Sequence, residues 1–279
     1  MTPQAASPVP RVLLNDEQSI PQLGFGVYKV DPEQTSRIVS NALEIGYRHI
    51  DTAMMYRNEQ GVGHALEASG IPREQLYVTT KLWNTDQGYA STFQAFEKSL
   101  DTLGLEYVDL YLIHWPRAAN DRYVDSWRAM EKIQESGRTR SIGVSNFLVP
   151  QLERLLAETS VVPAVNQIEL HPELQQREVT EFGRAHGIAT EAWSPLARGA
   201  LVSSPGIQAI ADAHGRSLAQ VILRWHIQRG NIIFPKSNQH ERIVENFTIF
   251  DFQLTDAEIA VITALERDGR VGSHPDRVS

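Results

Sequence analysis

Polar side chains with acid-base chemistry stand at the ends of three short apolar runs. Asp51 ends the run HID, Lys81 ends LYVTTK and His114 ends VDLYLIH, while Tyr56 follows Asp51 by five residues. A carboxylate, an amine, an imidazole and a phenol brought together away from water could hold and transfer a proton at a reacting atom. The residue types therefore predict general acid-base chemistry, provided that the fold brings the four together.

Each of these residues also has an ordinary structural interpretation. Asp51 could cap the following helix, Lys81 could reach into solvent, His114 could be a satisfied core histidine, and Tyr56 could be part of the packing. The set is harder to explain in this way, because Asp51 and Lys81 would both be withdrawn from water beside a tyrosine and a histidine. Buried charges are costly unless they are paired, and such clusters are more often functional than structural.

Eight apolar runs alternate with segments of helical period, and we interpret these runs as strands. They are residues 22–26, 49–51, 76–81, 108–114, 139–145, 162–167, 188–193 and 231–235. Parallel strands need helical crossovers, and strands covered on the outside by helices are typical of a barrel. The pattern predicts an α/β fold, a single (β/α)8 TIM barrel, with a short hairpin within 12–22 and extra helices near the C-terminus. Barrel enzymes place their sites at the C-terminal ends of the strands, where the four residues stand.

An open, doubly wound sheet is the competing fold. Such a sheet should carry a glycine-rich dinucleotide fingerprint, but Gly24-Phe25-Gly26 continues without the third glycine. No Pro/Gly/Ser linker interrupts the chain, so we expect one domain over residues 1–279, with residues 1–10 as a flexible tail.

Composition excludes several classes of protein. The chain has 279 residues, no Cys, and 26 Lys+Arg against 34 Asp+Glu, for a net charge of −8. Disulfides and thiolate metal sites are impossible, and we expect no metal site of another kind. The acidic balance without a basic run argues against a nucleic acid or an anionic membrane as partner. Without a leader or an apolar segment of about 20 residues, we expect a cytoplasmic protein, and we expect it to be a monomer.

Seven motifs, in order, carry a resemblance to the aldo-keto reductase family. They are GYRHIDTAMMYRNEQGVGHAL (46–66), TTKLWN (79–84), DLYLIHWP (109–116), SIGVSNF (141–147), VNQIELHP (165–172), WSPLARG (193–199) and FPKSNQHERIVENF (234–247). Within the family the chain most resembles the bacterial group that includes 2,5-diketo-D-gluconate reductases, through WSPLARG and the ending GRVGSHPD. The resemblance implies a reductase of aldehydes and ketones that uses a nicotinamide cofactor without a Rossmann fold.

The family's four catalytic positions correspond to Asp51, Tyr56, Lys81 and His114. The resemblance implies that Tyr56 protonates the developing alkoxide, that Asp51 orients Lys81, and that His114 donates a hydrogen bond to the substrate oxygen. An ammonium about 4 Å from a phenol, at an effective dielectric of about 20, offers about 4 kcal/mol, or a few pKa units. We therefore expect Lys81 to lower the pKa of Tyr56, with the charge of Asp51 offsetting part of the effect.

The resemblance also implies a cofactor site. Ser145, Asn146 and Gln167 correspond to the positions that bind the nicotinamide carboxamide, and Trp193 to the ring-stacking position, where many relatives have tyrosine. Ser194 and Leu196 would close over the pyrophosphate with the glycine at 199, and Phe234 would lie near the adenine. The adenosine phosphate end corresponds to Lys236, Ser237, Asn238, Arg242, Glu245 and Asn246. Lys236 and Arg242 suit a 2′-phosphate, so we predict NADPH rather than NADH.

The predicted substrate pocket is aromatic. Tyr28, Met55, Trp83 and Trp115 stand, with His114, at positions that line it in relatives, which predicts broad specificity for small carbonyl compounds such as α-dicarbonyls, keto sugars, keto acids and aromatic aldehydes. Only nine residues follow Arg270, which predicts a short C-terminal specificity loop. Two alternatives stay open: a barrel lyase using Lys81 as a Schiff-base nucleophile, and a catalytically weak regulatory subunit that binds NADPH.

Overall fold

Eight parallel strands form the centre of the molecule. The computed structural model describes residues 9–200 and 204–278. A two-stranded antiparallel hairpin, β1 (Arg11–Leu13) and β2 (Ser19–Pro21), comes first. The parallel strands follow in spatial order as β3 (Phe25–Gly26), β4 (His49–Asp51), β5 (Tyr77–Leu82), β6 (Val108–Ile113), β7 (Thr139–Ser145), β8 (Val165–Glu169), β9 (Ala189–Trp193) and β10 (Ile232–Ile233).

Hydrogen bonds between the first and last segments close the sheet into a barrel. The Gly24 amide donates to the Ile233 carbonyl at 2.7 Å, and the Ile233 amide donates to the Gln22 carbonyl at 2.9 Å. Leu23 also forms a parallel bridge with Ile233. The predicted barrel and its hairpin are therefore confirmed.

Helices cover the barrel from outside. In the described residues they are α1 (Pro32–Ile45), α2 (Glu59–Ala68), α3 (Tyr89–Leu103), α4 (Tyr123–Glu135), α5 (Val149–Glu158), α6 (Arg177–Ala185), α7 (Pro205–His214), α8 (Leu218–Gln228), α9 (His240–Phe247) and α10 (Asp256–Thr263). Two lie between β9 and β10 and two follow β10, so the extra helices expected near the C-terminus are present. Among the described residues no helix is both long and apolar enough to cross a bilayer.

Helix ends follow from capping chemistry. The Asp31 carboxylate accepts from the amide of Glu33 at the start of α1, and α1 is followed by its C-cap Gly46, whose φ of 125° favours glycine. Thr255 and Glu258 form the reciprocal capping box that begins α10. These local contacts define where the two helices begin and where α1 ends.

The hairpin covers the N-terminal end of the barrel. Leu14 and Ile20 pack in a buried cluster with residues that begin strands, including Tyr77, Val165 and Ile232. The predicted tail over 1–10 lies mostly outside the described residues, and at its end the carbonyl of Pro10 accepts from the Gln22 amide at 2.8 Å. The open end of the barrel is therefore the one at which the strands finish.

Strand boundaries were predicted to within three residues, and the largest difference is in β8. The expected strand over 162–167 is observed at Val165–Glu169. Glu169 lies beyond the predicted end of this strand, and its side chain is fully buried and accepts hydrogen bonds from the C-terminal segment. Because these hydrogen bonds satisfy the buried carboxylate, the strand can continue through a charged residue.

Candidate active site

A cavity of about 500 Å³ opens at the C-terminal ends of the strands. The predicted residues that line it come from several strand ends: Tyr28, Asp51, Met55, Tyr56, Trp83, His114, Trp115, Ser145, Asn146, Gln167, Trp193, Ser194, Leu196, Phe234 and Lys236. The barrel therefore brings together side chains that lie up to 208 residues apart, counted from Tyr28 to Lys236.

An ion pair lies at the base of this cavity. The Lys81 ammonium donates to Asp51 Oδ1 at 2.7 Å, to Asp51 Oδ2 at 2.8 Å and to the Thr52 carbonyl at 2.8 Å. The Lys81 side chain is 0% exposed and that of Asp51 is 3% exposed. Because all three ammonium protons are engaged, Lys81 has no lone pair available for attack on a carbonyl carbon.

Tyr56 lies next to the ion pair. Its ring centroid is 5.2 Å from Lys81 Nζ, 5.0 Å from the ring of Tyr28 and 5.7 Å from that of His114. Burial raises the pKa of the Tyr56 phenol well above 10, and the charges of Asp51 and Tyr28 raise it further. The expectation of a lowered pKa is therefore wrong for this state of the protein, because Asp51 neutralises Lys81 at close range and desolvation disfavours the phenolate.

His114 faces Tyr56 and Trp83. Its ring centroid is 5.1 Å from that of Trp83. Burial, and then the charge of Lys81, lower the pKa of His114 well below 6.5, so the imidazole is neutral. Nδ1 is buried and has no hydrogen-bond partner within the described part of the chain. Nε2 is neither buried nor hydrogen-bonded within the described residues, so it is the ring nitrogen that can contact a ligand in the cavity.

Three side chains, those of Ser145, Asn146 and Trp193, form a connected wall with the backbone carbonyls of Gln167 and His114. The Ser145 hydroxyl donates to the Gln167 carbonyl at 2.8 Å, and the Asn146 amide donates to Ser145 Oγ and to the His114 carbonyl, each at 3.0 Å. Trp193 Nε1 donates to Asn146 Oδ1 at 2.9 Å, which fixes the indole orientation. The wall offers polar groups beside a flat aromatic face, an arrangement that fits an aromatic ring bearing an amide.

Three cationic side chains lie at the mouth of the cavity. Lys29, Arg198 and Lys236 line the cavity, and partial burial together with the charge of Lys29 lowers the pKa of Lys236. Such like-charge repulsion is relieved when an anion binds. The mouth thus fits the phosphate groups of a nucleotide. The sequence did not identify Lys29, although it directly follows the predicted pocket residue Tyr28. Of the loop that contains Arg198, only the glycine at 199 was given a role.

The other residues predicted for the adenosine phosphate end do not line the cavity. They are Ser237, Asn238, Arg242, Glu245 and Asn246, on the segment after β10 and in α9. Arg242 is exposed, which suits a surface anion site. The Glu245 carboxylate instead accepts from the hydroxyl of Ser217, the N-cap of α8, and so also has a structural contact.

The C-terminal segment supplies one wall. Glu169 accepts from the amides of Val271 at 2.6 Å and Gly272 at 3.0 Å, which anchors residues beyond α10 to the end of β8. A side chain at Gly272 would meet the Trp193 ring at 2.3 Å, so glycine allows the close approach. Ser273 and Val278 line the cavity, so the short C-terminal segment does reach the site.

Aromatic and sulfur-containing side chains form the outer rim. Tyr28 is 44% and Met55 is 38% exposed, and Trp83 and Trp115 complete the apolar lining. Few polar side chains stand on this side of the cavity, so a ligand there would be held mainly by packing.

Comparisons with known proteins agree with this geometry. The model of the Aldo/keto reductase family matches residues 22–267. An aldo-keto reductase of Mycolicibacterium smegmatis is 53% identical over 266 residues, covering 95% of this chain and 97% of that protein. The glyoxal reductase of Bacillus subtilis is 48% identical over 268 residues, covering 96% of each. A crystal structure of a Gox0644 mutant in complex with NADPH has a TM-score of 0.94 at 44% identity, covering 98% of this chain and 100% of that one.

Proposed function

This chain belongs to the aldo/keto reductase family, and from that premise we propose that it reduces aldehydes and ketones with NADPH, Tyr56 supplying the proton. The observation that carries the proposal is the meeting of Tyr56 and His114 above the buried Lys81–Asp51 pair in one cavity. Bound NADPH supplies a hydride to the carbonyl carbon. The side chains of the chain must therefore manage the proton and exclude water.

Tyr56 acts as a neutral acid. Its raised pKa keeps the hydroxyl protonated through the neutral range. An alkoxide is a much stronger base than a phenolate, so the proton moves to it as it forms. The phenolate left behind lies near the Lys81 ammonium, which Asp51 holds in place and also partly neutralises, so only part of the phenolate charge is compensated. A proton from solvent then restores the phenol.

His114 orients the carbonyl group. A neutral imidazole with a free Nε2 can form one hydrogen bond to the substrate oxygen without adding a charge. The Trp83 ring packs nearly perpendicular to the imidazole and limits its rotation.

The cofactor is held by residues along one side of the cavity. Ser145, Asn146 and Gln167 would hold the carboxamide, and Trp193 would stack on the nicotinamide ring. Lys236 and Arg242 would pair with a 2′-phosphate, which favours NADPH over NADH. The NADPH complex of the Gox0644 mutant supports this assignment.

The substrates are small carbonyl compounds, with α-dicarbonyls first. The apolar rim binds varied organic groups, and the similarity to a glyoxal reductase favours α-dicarbonyls over keto sugars, keto acids and aromatic aldehydes. The relevant experiment is a panel of these four classes with NADPH or NADH, followed by loss of cofactor absorbance. We expect fastest turnover with an α-dicarbonyl and NADPH.

The panel also separates the alternatives. Tight NADPH binding without turnover of any carbonyl would indicate a regulatory subunit and overturn the proposal. A borohydride-trapped adduct on Lys81 without NADPH oxidation would indicate a lyase, but the three hydrogen bonds of the ammonium argue against it.

A further inference from the structure

Glu191 is a buried carboxyl that the proposed mechanism does not use. It lies in β9 directly beside Gln167 of β8 in the strand register, and it is 0% exposed. Its Oε2 accepts from Gln167 Nε2 at 2.9 Å, while Oε1 has no partner in the described residues. An apolar side chain could fill this space without the cost of desolvating a carboxyl, so packing alone does not explain the residue.

The contacts of Gln167 define which way its amide points. Nε2 donates one proton to Asp51 Oδ2 at 2.9 Å and the other to Glu191 Oε2 at 2.9 Å. Both partners present carboxyl oxygens as acceptors, so the NH₂ end belongs on their side. The amide oxygen of Gln167 is then left for the cavity that the residue lines.

We propose that Glu191 is a positioning residue of the cofactor site: together with Asp51 it holds the Gln167 amide so that its oxygen can accept from the carboxamide N–H of a bound nicotinamide. This inference rests on the proposed function, since it concerns how that cofactor is held. Without Glu191, one amide proton loses its acceptor, and the Gln167 side chain can rotate or turn its NH₂ group toward the cavity.

The site should respond to pH. Burial and the charge of Asp51 raise the pKa of Glu191 to about 8, against the opposing effects of the Gln167 hydrogen bond and Lys81. The titratable groups that face it are Asp51 of β4 with Tyr77 and Lys81 of β5, whereas its neighbour Ile232 of β10 carries no charge. Above about pH 8 the carboxyl gains a charge, which favours a cationic nicotinamide over a neutral one. Affinity for NADP+ relative to NADPH should therefore rise several-fold across this range and fall again as the pH is lowered.

Two variants of Glu191 separate these effects. Glu191→Gln keeps an acceptor for Gln167 but cannot ionise, whereas Glu191→Leu removes the acceptor. The dissociation constants of NADPH and NADP+ are measured by quenching of tryptophan fluorescence between about pH 6.5 and 9.5, a range that spans the pKa of about 8. We expect Glu191→Leu to weaken NADPH about five- to tenfold, and Glu191→Gln to bind within about twofold of the wild type at the lower pH. The pH dependence of the NADP+ preference should be lost in Glu191→Gln.

A matched control is Glu59→Gln. Glu59 is also a buried carboxyl with a pKa raised by burial, but it bonds to Thr80 at 2.6 Å and Ser99 at 3.4 Å away from the cavity lining. It should change thermal stability without changing cofactor affinity. Equal weakening in Glu59→Gln and Glu191→Leu would overturn the proposal, and so would unchanged affinity in Glu191→Leu.

The remaining outcomes are also decisive. If Glu191→Leu does not fold, Glu191→Ala takes its place, and unchanged NADPH affinity in that variant overturns the proposal. If the wild type reduces carbonyls and both Glu191 variants bind NADPH and NADP+ as the wild type does, this inference alone is refuted. A wild type that binds no NADPH removes the proposed function together with it.

Discussion

Replacing Tyr56 by phenylalanine removes one oxygen atom and leaves the ring packing in place. The ring keeps its neighbours Tyr28, Lys81 and His114, with centroid or ammonium distances between 5.0 and 5.7 Å. The hydroxyl has no hydrogen bond to another side chain in the described residues, so we expect the free energy of unfolding to change by less than about 0.5 kcal/mol.

The expected loss lies in turnover. Removing a positioned general acid costs about 10²- to 10⁴-fold in rate, equivalent to about 3 to 5 kcal/mol of activation free energy. Because the pKa of Tyr56 is raised well above 10, the wild-type phenol is protonated across the neutral range. The factor lost in Tyr56→Phe should therefore be nearly independent of pH there.

The assay is the initial rate of NADPH oxidation with an α-dicarbonyl, with NADPH affinity measured separately by fluorescence. Tyr28→Phe is the matched control, since it removes the same atom from the neighbouring ring, which is 44% exposed, and should retain activity within about threefold. Retention of more than about a tenth of the activity in Tyr56→Phe would refute the acid role, given that general acids contribute at least about 10²-fold.

Three further predictions concern charge. Arg242→Ala should weaken NADPH about 10- to 100-fold but NADH less than about twofold in fluorescence titrations, and equal losses would contradict a 2′-phosphate contact. Lys81→Met should lower the free energy of unfolding by about 3 to 5 kcal/mol in urea, since it leaves Asp51 buried without a cation; a loss below about 1 kcal/mol would contradict this. Burial opposes ionisation of Glu169, but hydrogen bonds from His171 and the amides of residues 271 and 272, with the charge of Arg270, lower its pKa below 4.5. The ionised Glu169 carboxylate therefore stabilises the fold above pH 4.5, and this stabilisation is lost as the pH falls. The melting temperature of Glu169→Gln should accordingly vary less with pH in the acid range than that of the wild type.

Alternation of apolar runs and helical segments was enough to predict the barrel, because each strand must be covered by a crossover helix. The strand β7 was predicted with its observed ends, Thr139–Ser145. Three of the four acid-base candidates, Asp51, Lys81 and His114, could be named because each ends an apolar run, and Tyr56 because it follows Asp51 by five residues. Their convergence depends only on the topology of the barrel.

Other features depend on distances that no sequence pattern contains. Glu169 and Glu191 were not named from the sequence, yet both are fully buried and hydrogen-bonded to other segments of the chain. The pKa of Tyr56 was predicted in the wrong direction because its neighbours could be named from sequence, while the extent of desolvation and the tight pairing of Lys81 with Asp51 could not.

The hairpin and the last described residues lie at opposite ends of the barrel, and this has a practical consequence for handling the protein. Ser273 and Val278 border the entrance, whereas β1 and β2 cover the far side. An affinity tag or surface tether joined after the final residue would crowd the entrance and compete with incoming molecules. A tether joined ahead of the hairpin would present the entrance to the bulk solution, so immobilised biosensor and bioreactor formats should be attached there.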